Sequence, residues 1–309
     1  MSDTPVVSVV MNCRNGAAYL REALDSVYAQ TVPDFEIVFW DNCSSDDSAS
    51  IAQSRDGRLR YFRSDSALKL GAARNRAVAA AVAPFIAFLD VDDIWEREYL
   101  EAQLAAIESS QNNGLSYTDA LYVLRDRAHP LCRMSDKWSP VEGDVFHDIV
   151  EGVFIGPSWA ILRRSALDRV GGFDDQYDFV EESDLFLKIS RHYRFAYVPR
   201  ALAVYRYHDE NASNQFEAQQ EESARFQENL LARYPDILDR HPKMARVWHL
   251  RRRAGLMRYY WRQRRVVDAT RALADVIVDA ATMPGFALRR ATLSIERWTG
   301  RRPWADWQR

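Results

Sequence analysis

The stretch Pro84-Phe-Ile-Ala-Phe-Leu89-Asp90-Val91-Asp92-Asp93 decides how this chain is read. Its apolar half has the character of a strand buried on both faces, and three carboxylates follow within four residues. Like charges held so close repel one another, so their placement at a strand end points to a cation. Clustered hard oxygen donors suit Mg²⁺ or Mn²⁺, and Mg²⁺ commonly shares its coordination shell with substrate phosphates. The C-terminal edge of a strand is also where open α/β sheets bind their ligands. The competing reading is a polar loop in which Asp92 or Asp93 caps a helix starting at Ile94-Trp95-Glu96.

Working outward, strand-like and helix-like patterns alternate on the N-terminal side. Residues 6–11, 35–40 and 59–62 read as strands, and residues 17–29, 46–54 and 72–83 as helices. Such alternation implies a parallel sheet with right-handed crossovers. Neither a GxGxxG nor a GxxxxGK[ST] run occurs in the turns. Four strand ends are polar: Asn12-Cys13-Arg14-Asn15, Asp41-Asn42, Arg63-Ser64-Asp65 and the aspartate run. Their convergence on one edge would make a ligand site. On the C-terminal side the pattern is less regular. It predicts a strand over 159–162, a helix from Arg163 to the Gly171-Gly172 stop, a helix over 185–192, and strands over 195–198 and 203–207. From residue 215 the pattern is helical, interrupted at Pro235, Pro242 and Pro284, and no internal repeat is visible.

The 309 residues suffice for one large domain with an appendage. Three cysteines without metal spacing indicate a reducing compartment. The N-terminus lacks a basic region ahead of an apolar core, and the longest apolar run, residues 77–89, is too short to span a bilayer. A cytoplasmic protein is expected. The net charge of −3 hides an asymmetry: residues 241–309 hold 16 Lys/Arg against 5 Asp/Glu, and five of the nine tryptophans. The body, residues 1–240, carries a balance of −14. We place a domain boundary at 212/213, where strand signals cease. The basic, Trp-rich tail either packs on the acidic body, which the charges favour, or meets an anionic membrane surface through residues 285–309. Nucleic-acid binding is not expected, because the body is acidic and no reader motif is present.

These pieces resemble the family 2 glycosyltransferases, inverting enzymes with the GT-A fold, over roughly residues 6–212. Val7-Ser8-Val-Val-Met-Asn-Cys-Arg-Asn15 resembles the family's first strand and loop, and Ala29-Gln30-Thr31, Pro33-Asp34-Phe35-Glu36 and Asp41-Asn42-Cys43-Ser44 follow in order. Gly71-Ala-Ala-Arg74-Asn75-Arg76 and Ala87-Phe88-Leu89-Asp90-Val91-Asp92-Asp93 are similar to the donor-binding half. Gly171-Gly172-Phe173-Asp174 and Glu181-Glu182-Ser183-Asp184-Leu185 are similar to the acceptor half, and Tyr205-Arg206-Tyr207-His208 to the last core strand. The resemblance implies a Rossmann-like, mostly parallel α/β sheet flanked by helices over residues 1–212, with residues 213–309 as a helical appendage. It also implies transfer of a sugar from a UDP- or dTDP-linked donor to a hydroxyl of a glycan or lipid-linked acceptor, in surface polysaccharide or glycolipid synthesis.

The implied roles follow residue by residue. A divalent cation, Mn²⁺ or Mg²⁺, on Asp92 or Asp93 would stabilise the departing nucleoside diphosphate, while Asp90 or Asp92 touches the ribose. His208 lies near the metal or the diphosphate, and an imidazole ligand favours manganese. Asp41, an acceptor-only carboxylate, suits the N3–H of uracil or thymine. Arg74 approaches the diphosphate or base as a fixed cation. Asn12 and Arg14, after the first strand, complete the donor side. Glu182 is the expected general base, one methylene longer than the family's usual Asp, with Asp184 as its substitute. The rival readings are a sugar-1-phosphate nucleotidyltransferase, for which residues 8–20 offer only Gly16 to grip a triphosphate, and a non-catalytic nucleotide-sugar-binding module.

Overall fold

A computed structural model of the chain describes residues 4–124, 130–209, 211 and 214–281. The chain divides into two compact units, residues 1–214 and 215–309.

The first unit begins with the expected alternation: β1 (Val7–Cys13), α1 (Ala17–Tyr28), β2 (Phe35–Asp41), α2 (Ser48–Gln53), β3 (Leu59–Arg63), α3 (Leu70–Ala80) and β4 (Phe85–Phe88). β1, β2 and β4 are buried almost throughout, because helices cover both faces of a parallel sheet and leave no wet side. α1 buries Leu20, Ala23, Leu24 and Val27, the line set by its helical repeat. β1–β4 pair only in parallel with one another, and Cys13 lies level with Asp41, so these strand ends meet at one height.

Past the aspartates the order is β5 (Ile94–Trp95), α4 (Tyr99–Glu108), β6 (Asn113–Leu124), β7 (Pro130–Arg133), α5 (Phe146–Glu151), β8 (Ala160–Arg163), α6 (Arg164–Val170), α7 (Glu181–Ser190) and β9 (Arg194–Tyr207). The nine strands form one sheet ordered β3-β2-β1-β4-β8-β6-β9-β5, with β7 on β6. β8 runs antiparallel to both β4 and β6, β5 antiparallel to β9, and β6 and β9 are parallel. The sheet is therefore mixed beyond β4, the less regular half of the mostly parallel sheet that was expected.

Three expectations change here. Ile94-Trp95 starts no helix; it pairs with Val204 and Ala203 of β9, so Asp92 and Asp93 cap nothing, and the following helix begins at Tyr99. The two strands expected over 195–207 are one, with register shifts opposite Thr118 and Asp119 that absorb the interruption at Pro199. α7 starts at Glu181 rather than 185, which brings three acids into its first turn.

The second unit contains α8 (Phe216–Arg233), α9 (Ile237–Arg240), α10 (Met244–Arg262) and α11 (Val266–Ala281), with breaks near Pro235 and Pro242 as expected. Phe216 stacks on Tyr259 at 5.0 Å, joining α8 to α10. Pro284 and the segment 285–309, the stretch weighed for membrane contact against packing on the body, lie outside the described residues.

Candidate active site

The aspartate run follows β4 and is braced from the neighbouring strand connection. The backbone N–H of Asp90 donates to Ser158 Oγ at 3.1 Å, and Asp93 N–H closes the turn onto the Asp90 carbonyl at 3.0 Å. Ser158 sits in the short 3₁₀ turn Pro157–Trp159 before β8, so the antiparallel strand holds the loop. The three carboxylates then part. Asp93 points inward: it is buried, and its Oδ1 accepts from Arg206 N–H of β9 at 3.2 Å. Burial, then the charges of Asp92 and Asp90, push its carboxyl well above the usual range. Asp92 stays partly open, with Oδ2 3.0 Å from His208 Nε2 and 3.2 Å from Asn211 Nδ2. The His208 ring stacks on Tyr19 of α1 at 4.6 Å, which sets the direction of its nitrogen.

A third aspartate contact reaches across the fold. Arg74 of α3, 2% exposed, donates from Nη2 to Asp90 Oδ1 at 2.9 Å and from Nη1 to Glu181 Oε1 at 2.6 Å. One guanidinium thus ties the aspartate loop to the start of α7, where the helix dipole also favours acids. Glu182 is buried beside them. Burial, then the negative charge of Glu181, raise its carboxyl well above the ordinary value, and Arg74 opposes only in part. Burial likewise raises Glu181 against the pull of Arg74, and Glu181 Oε2 has no hydrogen-bond partner. Asp184, one turn on, faces Lys188 at 2.8 Å, and Lys188 also donates to the Gly172 carbonyl at 2.8 Å.

At the end of β2, Asp41 is fully buried and saturated. Ser44 N–H donates to Oδ1 at 2.7 Å, while Tyr61 O–H and Arg63 Nη1 donate to Oδ2 at 2.6 and 2.7 Å. Burial alone would raise this carboxyl; Tyr61, Ser44 and the Arg63 charge hold it below its ordinary value. The loops after β1 and β2 interlock here: Asn15 N–H donates to Ser44 Oγ, and Ser45 N–H to Asn15 Oδ1. Asn15 and Cys43 take φ of 57° and 67°, the left-handed region that non-glycine residues adopt at a cost of about 1–3 kcal/mol and often at functional sites.

Several expected roles shift accordingly. Arg74, expected at the diphosphate or base, has both terminal nitrogens on carboxylates, Asp90 and Glu181. Asp93, expected with Asp92 at the metal, is buried and accepts from the β9 backbone through Oδ1. Asp92 and His208 do converge, and a carboxylate oxygen beside an imidazole nitrogen is a donor pair that fits Mn²⁺. Asp184, the expected substitute base, faces Lys188. Asp41, expected to meet the base N3–H, carries Arg63 on its Oδ2, and the Arg63 side chain is 45% exposed. Asn12 lies at the end of β1 with a buried Nδ2 that has no partner, and Arg14 is exposed in the following loop. Sequence reasoning missed Tyr19, Tyr61, Ser158 and Asn211. Only Ser158 carried a signal, in the Gly156-Pro157-Ser158 turn ahead of a strand.

This curled, helix-flanked sheet, with an aspartate loop at the end of β4, defines a glycosyltransferase of GT-A type. The glycosyl transferase family 2 model matches residues 8–171, and the chain belongs to that family. An uncharacterised glycosyltransferase of Rickettsia typhi is 24% identical over 68% of this chain and 67% of its own length. Two further rickettsial relatives are covered over only 59% and 37% of theirs. The UDP-Glc:α-D-GlcNAc-diphosphoundecaprenol β-1,3-glucosyltransferase WfgD of Escherichia coli is 26% identical over 61% of this chain and 70% of its own. Two solved structures share the fold. TarS 1–349 from S. aureus, in complex with UDP-GlcNAc, superposes with a TM-score of 0.58 at 16% identity, over 86% of this chain and 90% of that one. The mannosyltransferase PcManGT of Pyrobaculum calidifontis, in complex with GDP-Man and Mn²⁺, gives 0.61 at 19%, over 96% and 81%. Among the described residues no helix is long and apolar enough to cross a membrane.

Proposed function

We propose that this glycosyltransferase is inverting and metal-dependent, moving a sugar from a UDP- or dTDP-linked donor to a hydroxyl of a glycan or lipid-linked acceptor. The chemistry is assigned to residues 1–212, with 213–309 as an appendage. The observation that carries the reading is Glu182: a buried carboxyl with raised proton affinity, held beside the Arg74 bridge that reaches the aspartate loop. A carboxylate of ordinary pKa is too weak a base for a sugar hydroxyl, and a raised one is better matched to work near neutrality. Glu182 takes the acceptor proton as the hydroxyl oxygen attacks the anomeric carbon from the face opposite the diphosphate. The unpartnered Glu181 Oε2 is an acceptor available to orient that hydroxyl. On the donor side, Asp90 meets the ribose, and Asp41 reads the pyrimidine edge once Arg63 swings out. Asp92 and His208 would hold Mn²⁺ or Mg²⁺, which when bound supplies positive charge against the leaving diphosphate. The acceptor class draws support from WfgD, whose acceptor is a diphosphoundecaprenol-linked sugar.

Screening a nucleotide-sugar panel in the presence of Mn²⁺ tests the reading, scored by thermal stabilisation and slow donor hydrolysis. A uridine or thymidine donor is expected to raise the Tm and be hydrolysed. Silence toward all of them would sink the proposal.

A further inference from the structure

Arg206 of β9 is an expensive residue where it stands. Its side chain is 5% exposed, and its Nη1 meets Glu22 Oε2 at 2.7 Å, a carboxylate that is itself 57% exposed. Nε and Nη2 are buried with no hydrogen-bond partner. One solvent-facing partner compensates poorly for the hydration that a buried guanidinium gives up. If the contact served only to tie α1 to β9, an apolar side chain of similar volume would do so as well or better.

The surroundings show what the guanidinium adds. It lies over the Tyr19 ring, with Cζ 5.3 Å from the centroid. Tyr19 and Glu22 are three residues apart on α1 and therefore neighbours on one helix face. The same Tyr19 ring carries the His208 imidazole, stacked at 4.6 Å with 25° between the planes. The main chain of Arg206 belongs to the same construction. Its N–H donates to Asp93 Oδ1 at 3.2 Å, and its carbonyl accepts from Asn211 Nδ2 at 3.1 Å. Asn211 Nδ2 and His208 Nε2 both meet Asp92 Oδ2, at 3.2 and 3.0 Å, and Asn211 Oδ1 accepts from the His208 N–H. Both groups beside that oxygen thus trace back to Arg206, Asn211 through the carbonyl and His208 through Tyr19.

We infer that Arg206, clamped by Glu22, is a positioning residue that fixes the Tyr19 ring and, through that ring, the direction of the His208 nitrogen beside Asp92. A guanidinium suits the task, because a planar cation can lie on an aromatic face while its edge meets a carboxylate. The inference rests on the proposed metal role of Asp92 and His208 and deepens it, since partners behind the ligands set how firmly such a site holds its ion.

The test uses the full chain and two readouts, one of which needs no metal. In the metal-free protein the Tyr19 ring current shifts the His208 ring protons upfield, and their signals are assigned by their loss in His208→Gln. The second readout is a titration of Mn²⁺ in the presence of UDP, followed by electron paramagnetic resonance. Tyr19→Leu and Arg206→Met should each carry the His208 signals toward those of a free imidazole. Each should also weaken Mn²⁺ binding by about 10–100-fold, the range for partners that orient metal ligands. Glu22→Gln, at an exposed site that spares the fold, should move both readouts the same way by less. Tyr19→Phe keeps the ring and should preserve both. A merely structural clamp would lower the Tm and leave the His208 signals and the Mn²⁺ affinity of the folded variants unchanged, and that result overturns the inference. So does a loss in Tyr19→Phe as large as in Tyr19→Leu. If wild type binds no Mn²⁺, the metal reading fails by itself and the His208 signals decide. Displaced in Arg206→Met and Glu22→Gln, they uphold the positioning role; unmoved, they overturn it.

Discussion

Asp41 and Glu182 are both buried carboxylates in one sheet-and-helix body, and they are treated in opposite ways. Asp41 receives three donors and is held ionised. Glu181 shares one guanidinium with Asp90, Glu182 is buried beside that pair, and both glutamates are driven toward the protonated form. A satisfied carboxylate stiffens its surroundings and can be a fixed template; an under-compensated one stores a demand that a substrate can meet. Under the proposed function, the satisfied carboxylate belongs to the nucleotide side and the under-compensated pair to the side where the acceptor hydroxyl reacts.

The largest effect is expected at the reactive side. Glu182→Gln should lower kcat by about 10³-fold, within the range of general-base catalysis, with little change in donor affinity. Steady-state kinetics and donor titration decide this, and a loss smaller than tenfold would move the base elsewhere and erase the contrast. The same variant has a thermal signature. A carboxyl raised in the folded state holds its proton where the unfolded chain has released it, above about pH 4.3. Its contribution to stability is therefore complete below that pH and is lost as pH rises through the folded value. Glu182→Gln should abolish that loss, so the Tm of variant and wild type should diverge on the alkaline side and converge in acid.

Next in size is Arg74→Met. Removing the shared cation leaves Asp90 and Glu181 without their counter-charge, and breaking a buried pair costs about 3–5 kcal/mol. Urea denaturation measures it, and a cost under 1 kcal/mol would mean that the bridge is incidental. The smallest effect belongs to the satisfied side. Tyr61→Phe deletes one of three donors to Asp41 and should cost about 1 kcal/mol, leaving donor affinity within a few-fold. A collapse of donor binding would show that Asp41 is as finely balanced as Glu182.

How much of this was readable from the residues differs between the two sides of the sheet. The β1–β4 half follows from apolar runs closed by polar ends, because parallel strands buried on both faces leave a one-dimensional signature. The β6 strand escaped, since Asn113-Gly-Leu-Ser-Tyr-Thr-Asp-Ala has no clean period, and its pairing with β8 and β9 is decided by residues far along the chain. At the site, the aspartate run announced itself by composition, and Glu182 entered through the family resemblance. The fate of each carboxylate did neither. Which of Asp90, Asp92 and Asp93 turns inward depends on Ser158 and on the backbone of Arg206, and Arg74 read as a ligand-facing cation because its two acidic partners are distant in sequence.

Gly71 and Gly172 show what such distance means for inheritance. A Cβ on Gly71 would stand 2.3 Å from the Asp174 carbonyl oxygen, and one on Gly172, at φ +76°, would stand 2.7 Å from Asn75 Oδ1. Asn75 in turn clasps Phe173 through both its N–H and its carbonyl, at 2.9 Å each. The Gly-Ala-Ala-Arg-Asn and Gly-Gly-Phe-Asp runs, about a hundred positions apart, are thus the two faces of a single joint. A chimaera whose crossover falls anywhere between residues 76 and 170 takes one face from each parent, and two foreign backbones must then meet where not even a methyl group fits. Crossovers outside that interval keep the joint whole, so shuffled members of this family should survive or fail by which side of it they were cut.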